Sequence, residues 1–317
     1  MRPVLFSIGN VFIGSYAAMM FLAIVTAIAT ATVRSRKHTL VTSMLAPALT
    51  VGLLCGWLFS RVSLVADPAA RNVGWRVFSP LQGGGGSLTF FGVGAAIGVL
   101  AYLLLRRQPI LDFADAVAPS ILFAVGIAKI GCLLGGCCEG SVCPAALGIT
   151  YPYGSLVHEK HLAKDLVAVP ADLLRTEADR KDKYRTMGHI QVLQYESVFA
   201  KQEAGDEKGI ITPELASRAN QYRSLPVWPV PILTSVAAIA CGIAAEFIYR
   251  KRATQGATLA FVLCAYGAIR LTLDWLLADR AYVFAGLPAA QWAGAFVLLV
   301  GLAIYVANRL LIKLDPE

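Results

Sequence analysis

The sequence predicts an all-α fold: a polytopic membrane protein with seven transmembrane helices, N-terminus out and C-terminus in, carrying a small extracytoplasmic lobe. Three observations predict it. Hydrophobic residues make up 57% of the 317 positions and the mean hydropathy is +0.63, against about 45–50% apolar content in a soluble domain. Apolar runs of about 20 residues, long enough to cross roughly 30 Å of hydrocarbon, recur along the chain. Basic residues gather at every second connection between them, which marks those ends as cytoplasmic.

The runs lie near 11–33, 44–63, 87–105, 115–135, 228–249, 256–277 and 289–311. Arg34, Arg36 and Lys37 follow the first, Arg106 and Arg107 the third, Arg250, Lys251 and Arg252 the fifth, and Arg309 and Lys313 the seventh. The first run lacks the pattern of a cleaved leader and reads as a retained helix. The chain divides into 1–140 with four spans, a hydrophilic segment over 141–226, and 227–317 with three spans. That middle segment holds eleven basic and eleven acidic residues, so the net charge of +8 comes from elsewhere. It reflects cytoplasmic anchoring and excludes nucleic acid as the partner.

Span one carries Tyr16 near its outer end. The loop before span three closes on four glycines, Gly83 to Gly86, and reads as flexible. Span three opens on Phe90 and Phe91. Asp112 and Asp115 suit the first turn of span four, where the helix dipole favours acids.

The pivotal stretch is Gly126 to Gly140, which packs Lys129, three cysteines and five glycines into fifteen residues. Glycines let a neighbouring backbone or a ligand come close. A lysine in an apolar span is costly and faces a polar cavity or a charged partner. Lys129, Cys132 and Gly136 share one helix face by their spacing.

Span six holds Tyr266, Arg270 and Asp274 at i, i+4 and i+8, again one stripe. Counted from the inner boundary, Lys129 and Arg270 each lie about 21 Å up, and Tyr16 reaches a similar level from the other side. Two cations, a phenol and a carboxylate at one depth describe a pocket for an anionic headgroup, since guanidinium grips phosphate by a fork and ammonium adds a point charge.

His158 and His161 lack a later ligand pair at zinc spacing, so no metal and no cofactor are expected there. Cys55, Cys241 and Cys264 read as small core residues. Cys137 or Cys138 is placed to join Cys143 across a short loop, as a disulfide or as a redox or metal centre.

Gly131 to Gly140, Gly148-Ile-Thr-Tyr-Pro152, the Tyr195-Glu196 pair and the Tyr266, Arg270, Asp274 stripe resemble the bacterial prolipoprotein diacylglyceryl transferase family. The resemblance implies a bacterial cytoplasmic-membrane enzyme, its site facing the outer leaflet. Its donor would be phosphatidylglycerol or another anionic phospholipid, and its acceptor a prolipoprotein cysteine thiol or an unknown protein or molecule. Position by position, Lys129 stands where the family has an arginine, Arg270 matches its sixth-span arginine, and Asp274 replaces a glutamate. Gly140 matches a signature glycine, Tyr16 falls near its first-span tyrosine, and Cys132 and Cys137 take polar places.

Phe91 stands where the family has a histidine thought to activate the acceptor, and phenylalanine moves no proton. None of His38, His158, His161 and His189 lies in a span. Glu139, Glu196 or a cysteine thiolate remain as candidate bases. The alternative is a membrane protein that binds anionic lipid without catalysis.

Overall fold

The computed structural model describes residues 4–8, 11–36, 39–65, 88–153, 155–170, 174–176, 186–187, 190–192, 217–218, 221–251, 254–278, 282–284 and 287–314. The fold class is all-α. Seven apolar helices carry it: α1 (Ser15–Ser35), α2 (Thr39–Val65), α3 (Leu88–Leu105), α4 (Ile110–Gly135), α6 (Val230–Lys251), α7 (Ala257–Leu273) and α8 (Ala289–Leu314). A short α5 (Leu156–Ala163) lies between α4 and α6. Six helices are long and apolar enough to cross a membrane, and the shorter apolar stretch Phe90–Leu105 is the seventh.

Short strands are absent from the sequence reading, and two pairs of them precede helix starts. β1 (Val4–Ile8) pairs antiparallel with β2 (Val11–Gly14), so α1 starts at Ser15 where the apolar run predicts span one from 11. Tyr16 is therefore the second residue of its helix rather than about five residues in. β3 (Leu174–Thr176) and β4 (Thr186–Met187) flank β5 (Ile190–Val192). β6 (Tyr282–Phe284) pairs with β7 (Leu287–Pro288) just before α8. Backbone leaving a helix loses its intrahelical partners, and pairing restores them. The 66–87 loop with its glycine run, His38, His189, Tyr195 and Glu196 lie outside the described residues.

α4 is the central helix, with α1 on one side and α6 and α7 on the others; α2 packs chiefly on α3, and α8 on α7. Small residues set these contacts. A Cβ on Gly126 would meet Ile239 Cγ1 at 2.6 Å, and one on Gly267 would meet the Gly294 carbonyl oxygen at 2.8 Å. Such close approach is how membrane helices gain dispersion energy without a hydrophobic drive between them. Phe21, Leu54, Phe247 and Phe296 are at least 61% exposed, as expected of side chains that face lipid tails.

Two poles are defined by polar contacts. At the first, Arg34 at the end of α1 is 5% exposed and its Nε lies 2.7 Å from Glu246 Oε2 of α6. Its Nη1 donates to the Ala116 carbonyl and to Ser120 Oγ of α4, the latter at 2.8 Å. Arg250 Nε joins Glu246 Oε1 at 3.0 Å. Asp115 serves a neighbouring helix: it is fully buried and accepts from the Gly256 and Leu259 N–H groups, both at 2.8 Å, capping α7 from α4. A helix start leaves N–H groups without partners, and a carboxylate from a neighbour fills them as well as a local cap does.

Candidate active site

The opposite pole brings together the end of α4, the start of α1 and α6, and the end of α7. α4 stops at Gly136, whose φ of 68° is left-handed, a conformation glycine adopts without steric cost. Cys138 follows with a φ of 59°, uncommon for a residue with a Cβ. The chain thus doubles back over its own last turn, and the Cys137 N–H donates to the Cys132 carbonyl at 3.0 Å.

The reversal gathers thiols. Cys138 Sγ lies 3.7 Å from Cys132 Sγ, Cys137 Sγ lies 3.6 Å from the Cys132 carbonyl oxygen, and all three sulfurs fall within 4.8 Å of one another. Lys129 Nζ donates to Cys138 Sγ at 3.8 Å. All three are free thiols, as is Cys143. The expected partnership of Cys137 or Cys138 with Cys143 is replaced by one with Cys132, because the left-handed turn points both thiols back along α4. Cys143 is buried elsewhere, its sulfur beside Gly148.

Across the site, Arg270 Nη2 pairs with Asp274 Oδ2 at 3.1 Å, the arginine on α7 and the aspartate in the single 3-10 turn (Asp274–Leu276) that ends it. Asp274 is 5% exposed and feels the charges of Arg270, Lys129 and Cys138. The cation of α7 thus meets the carboxylate, and that of α4 meets the Cys138 thiol. Tyr16 joins from α1, its phenol within electrostatic reach of Cys132, Cys137 and Cys138. Its backbone and Cβ lie over Gly131 and Gly135, and a Cβ on Gly131 would meet Met19 Cβ, one turn further along α1, at 2.9 Å. Tyr266 sits apart from these groups, packed on the cluster of Ala118, Leu122, Ala245 and Val262.

Gly140 fixes the signature against α6. A Cβ there would run into the Trp228 carbonyl oxygen, with Trp228 Cβ at 2.6 Å and Cα at 2.9 Å. Around it, the Ser141 N–H donates to the Leu276 carbonyl at 2.7 Å, Ala278 N–H to Glu139 at 3.2 Å, and Trp228 N–H to Ser141 at 3.1 Å. Residues 139–141 thereby tie the end of α7 to the start of α6. The Glu139 carboxylate is buried, with Lys160 Nζ of α5 at 3.3 Å from its Oε1. Phe91 lies in the α2–α3 pair, its ring against Gly56.

A small lobe closes over this pole. Tyr151 and Ser224 exchange hydrogen bonds, the Tyr151 N–H to Ser224 Oγ at 2.8 Å and the Ser224 N–H to the Tyr151 carbonyl at 3.0 Å. Tyr151, Val157 and Val227 form its core, so Val227 belongs to the lobe although it stands beyond the hydrophilic segment read from sequence. Burial raises the Tyr151 phenol, with Cys137, Cys138 and Glu139 adding to the effect.

His158 is fully buried beside Tyr153, ring centroids 4.7 Å apart, and neither ring nitrogen has a hydrogen-bond partner. Burial, and then His161, holds its pKa down to about 4. His161 Nδ1 accepts from the Leu225 N–H at 3.3 Å, and burial followed by Lys164 and Lys160 keeps it below the usual histidine value. Both histidines are core of the lobe. Among the described residues, the group with metal-ligand geometry is the cysteine trio.

Sequence reasoning missed the Arg34–Glu246 pair and the Asp115 cap. The signal was present for the first: Glu246 is an acid inside an apolar run and calls for a partner. For the second there was none, because a first-turn acid looks the same whether it caps its own helix or a neighbour's.

Comparison with known proteins adds an independent line. The sequence model of a family described as prolipoprotein diacylglyceryl transferase matches residues 3–307. The phosphatidylglycerol–prolipoprotein diacylglyceryl transferase 2 of Clostridium perfringens is 22% identical, with 69% of this chain aligned to 60% of that one. The enzyme of Clostridium tetani is 30% identical over 48% of this chain and 61% of its own. That of Rhodopirellula baltica is 24% identical over 82% of this chain and 69% of its own. The chain thus spans about 60% of the length of the two clostridial relatives.

Proposed function

The chain belongs to the prolipoprotein diacylglyceryl transferase family, and from that premise we propose that it is an integral membrane transferase that takes a diacylglyceryl group from phosphatidylglycerol or a related anionic lipid. The acceptor is the cysteine thiol of a prolipoprotein or a divergent nucleophile. One observation carries the reading: at one pole Arg270 of α7 pairs with Asp274 at 3.1 Å, and Lys129 of α4 reaches the cysteine turn beside it, its Nζ 3.8 Å from Cys138 Sγ. Two cations against one acid leave a positive charge that a phosphodiester neutralises.

In the reaction, Arg270 and Lys129 bind the phosphate and stabilise the oxygen charge that develops as the glyceryl carbon–oxygen bond breaks. Asp274 holds the guanidinium in register, and Tyr16 orients the headgroup. The acceptor loses its proton to a base, for which Glu139, Glu196 and a cysteine thiolate are the candidates, and glycerol phosphate leaves with the bonding electron pair. Cys132, Cys137 and Gly140 line the donor's approach beside Lys129, and Tyr195 belongs with Glu196 in the same proposal.

Orientation follows from charge. A site and lobe at the outer leaflet of the bacterial cytoplasmic membrane is the reading supported by the positive-inside rule, since the basic ends of α1 and α6 share the opposite pole.

The test is incubation of purified protein with labelled phosphatidylglycerol and a lipobox peptide. Release of labelled glycerol phosphate is expected, and Arg270→Ala should abolish it while the protein stays folded. Wild-type rates from that variant remove Arg270 from the mechanism. A second reading, anionic-lipid binding without turnover, draws on Phe91, which brings no ionisable group to the third span. Retained lipid with no glycerol phosphate released would select it.

A further inference from the structure

In the transferase reading Cys132 and Cys137 line the donor's approach and a thiolate is one candidate base; neither role calls for three sulfurs in contact. The geometry of the cysteine trio is that of a ligand set. Zinc binds thiolate sulfur at about 2.3 Å, so two sulfurs on a tetrahedral ion stand about 3.8 Å apart. Cys132 Sγ and Cys138 Sγ are already 3.7 Å apart, and Cys137 Sγ completes a triangle no wider than 4.8 Å. The backbone is arranged for this. Left-handed φ at Gly136 and at Cys138 turns the chain so that residues 137 and 138 face residue 132, and a non-glycine residue keeps such a conformation only where its surroundings impose it.

Charge is consistent with the same occupant. Three thiolates around a divalent ion leave one negative charge, which Lys129 Nζ faces 3.8 Å from Cys138 Sγ; with zinc bound, the lipid phosphate falls to Arg270. Burial of a charged group is tolerated when it is paired in this way.

We propose that Cys132, Cys137 and Cys138 form a three-sulfur zinc site at the C-terminal end of α4, with the fourth position open to an incoming thiol. Three protein ligands and an open position are the arrangement of zinc sites that act on a ligand, whereas sites that only brace a fold are closed by four. The role of the open position rests on the transferase reading. A thiol that coordinates zinc loses its proton to solvent, and the bound sulfur then attacks the glyceryl carbon. The sulfur–carbon bond forms as the carbon–oxygen bond to phosphate breaks, and the oxygen keeps the electron pair. The ion would thus supply what Phe91 cannot.

The experiment uses the purified full-length protein in detergent, reduced and stripped of metal, with no lipid present. Zinc is titrated in against a chromophoric chelator. One equivalent should be retained. Since the loss of a mere outer-shell partner weakens metal sites about 10–100-fold, Cys132→Ser and Cys138→Ser should each weaken retention by at least about 100-fold. Cys143→Ser and Cys241→Ser should leave it unchanged. Melting curves without metal check that each variant is folded.

Cobalt loaded in place of zinc should show a thiolate charge-transfer band, and adding free cysteine should shift its visible absorption. Failure to retain zinc, or equal losses in Cys143→Ser and Cys132→Ser, overturns the site; an unmoved cobalt spectrum overturns the open position. Because no lipid is involved, a negative result here beside intact phosphatidylglycerol turnover defeats this inference and leaves the transferase reading standing.

Discussion

Three glycine-to-alanine changes probe whether the site is assembled by close backbone contact, and the structure ranks them. At Gly140 the added methyl would overlap the Trp228 carbonyl oxygen and approach Trp228 Cα at 2.9 Å. Two of the three nearest atoms are backbone and cannot rotate away, so residues 139–141 must move off Trp228. Overpacking of this kind costs about 1–3 kcal/mol, and losing the Trp228 N–H bond to Ser141 adds about 1 kcal/mol, for a total of roughly 2–4 kcal/mol. At Gly136 the methyl meets only ordinary contacts, the nearest at 3.4 Å, and the penalty is the left-handed φ, about 1–2 kcal/mol.

At Gly92 a methyl has nothing within 4 Å, and no loss is expected. Thermal unfolding of the purified variants in one detergent should therefore rank Gly92→Ala with wild type, Gly136→Ala below it, and Gly140→Ala lowest. Gly140→Ala should also lose lipid turnover more than Gly136→Ala, since it separates Glu139 and the end of α7 from their places. A Gly140→Ala protein that melts with Gly92→Ala would refute the close-contact account of the signature.

The lobe should weaken in acid. His158 has its pKa held at about 4 in the folded chain against about 6.5 when unfolded, so between these values the unfolded state binds more protons. The stability this neutral ring contributes is complete above about pH 6.5 and is lost as pH falls toward 4, by roughly 2–3 kcal/mol. His158→Phe should flatten that dependence in hydrogen exchange of the Tyr151–Ser224 amides, and an unchanged slope would contradict it. At the other pole, Glu246→Ala strands the buried Arg34 cation and should cost about 3–5 kcal/mol, while the double change Arg34→Met with Glu246→Leu should recover most of it. Denaturant unfolding of wild type, Glu246→Ala and the double variant checks this, and a double variant no more stable than Glu246→Ala would show that the stranded charge is not the cause.

What the sequence alone determined follows from local rules. Apolar run length picked out all seven helices, since the cost of unpaired backbone in lipid leaves a long apolar segment no other choice. The stripe Tyr266, Arg270 and Asp274 followed from helical spacing, as did the outlier character of Lys129 in its span. The tertiary structure decided which groups meet. Arg34 read as one more flanking cation, yet it is buried on Glu246, more than two hundred positions away. Tyr266 shares a helix face with Arg270 but faces the core, because side chains four apart point to different neighbours once α4 and α6 are in place. Cys137 and Cys138 looked forward along the chain to Cys143, and a left-handed turn at Gly136 sends them back to Cys132. Spacing records only distance along one chain. Which surfaces face each other is set by helix packing and by two backbone angles, and no residue pattern of this length encodes those.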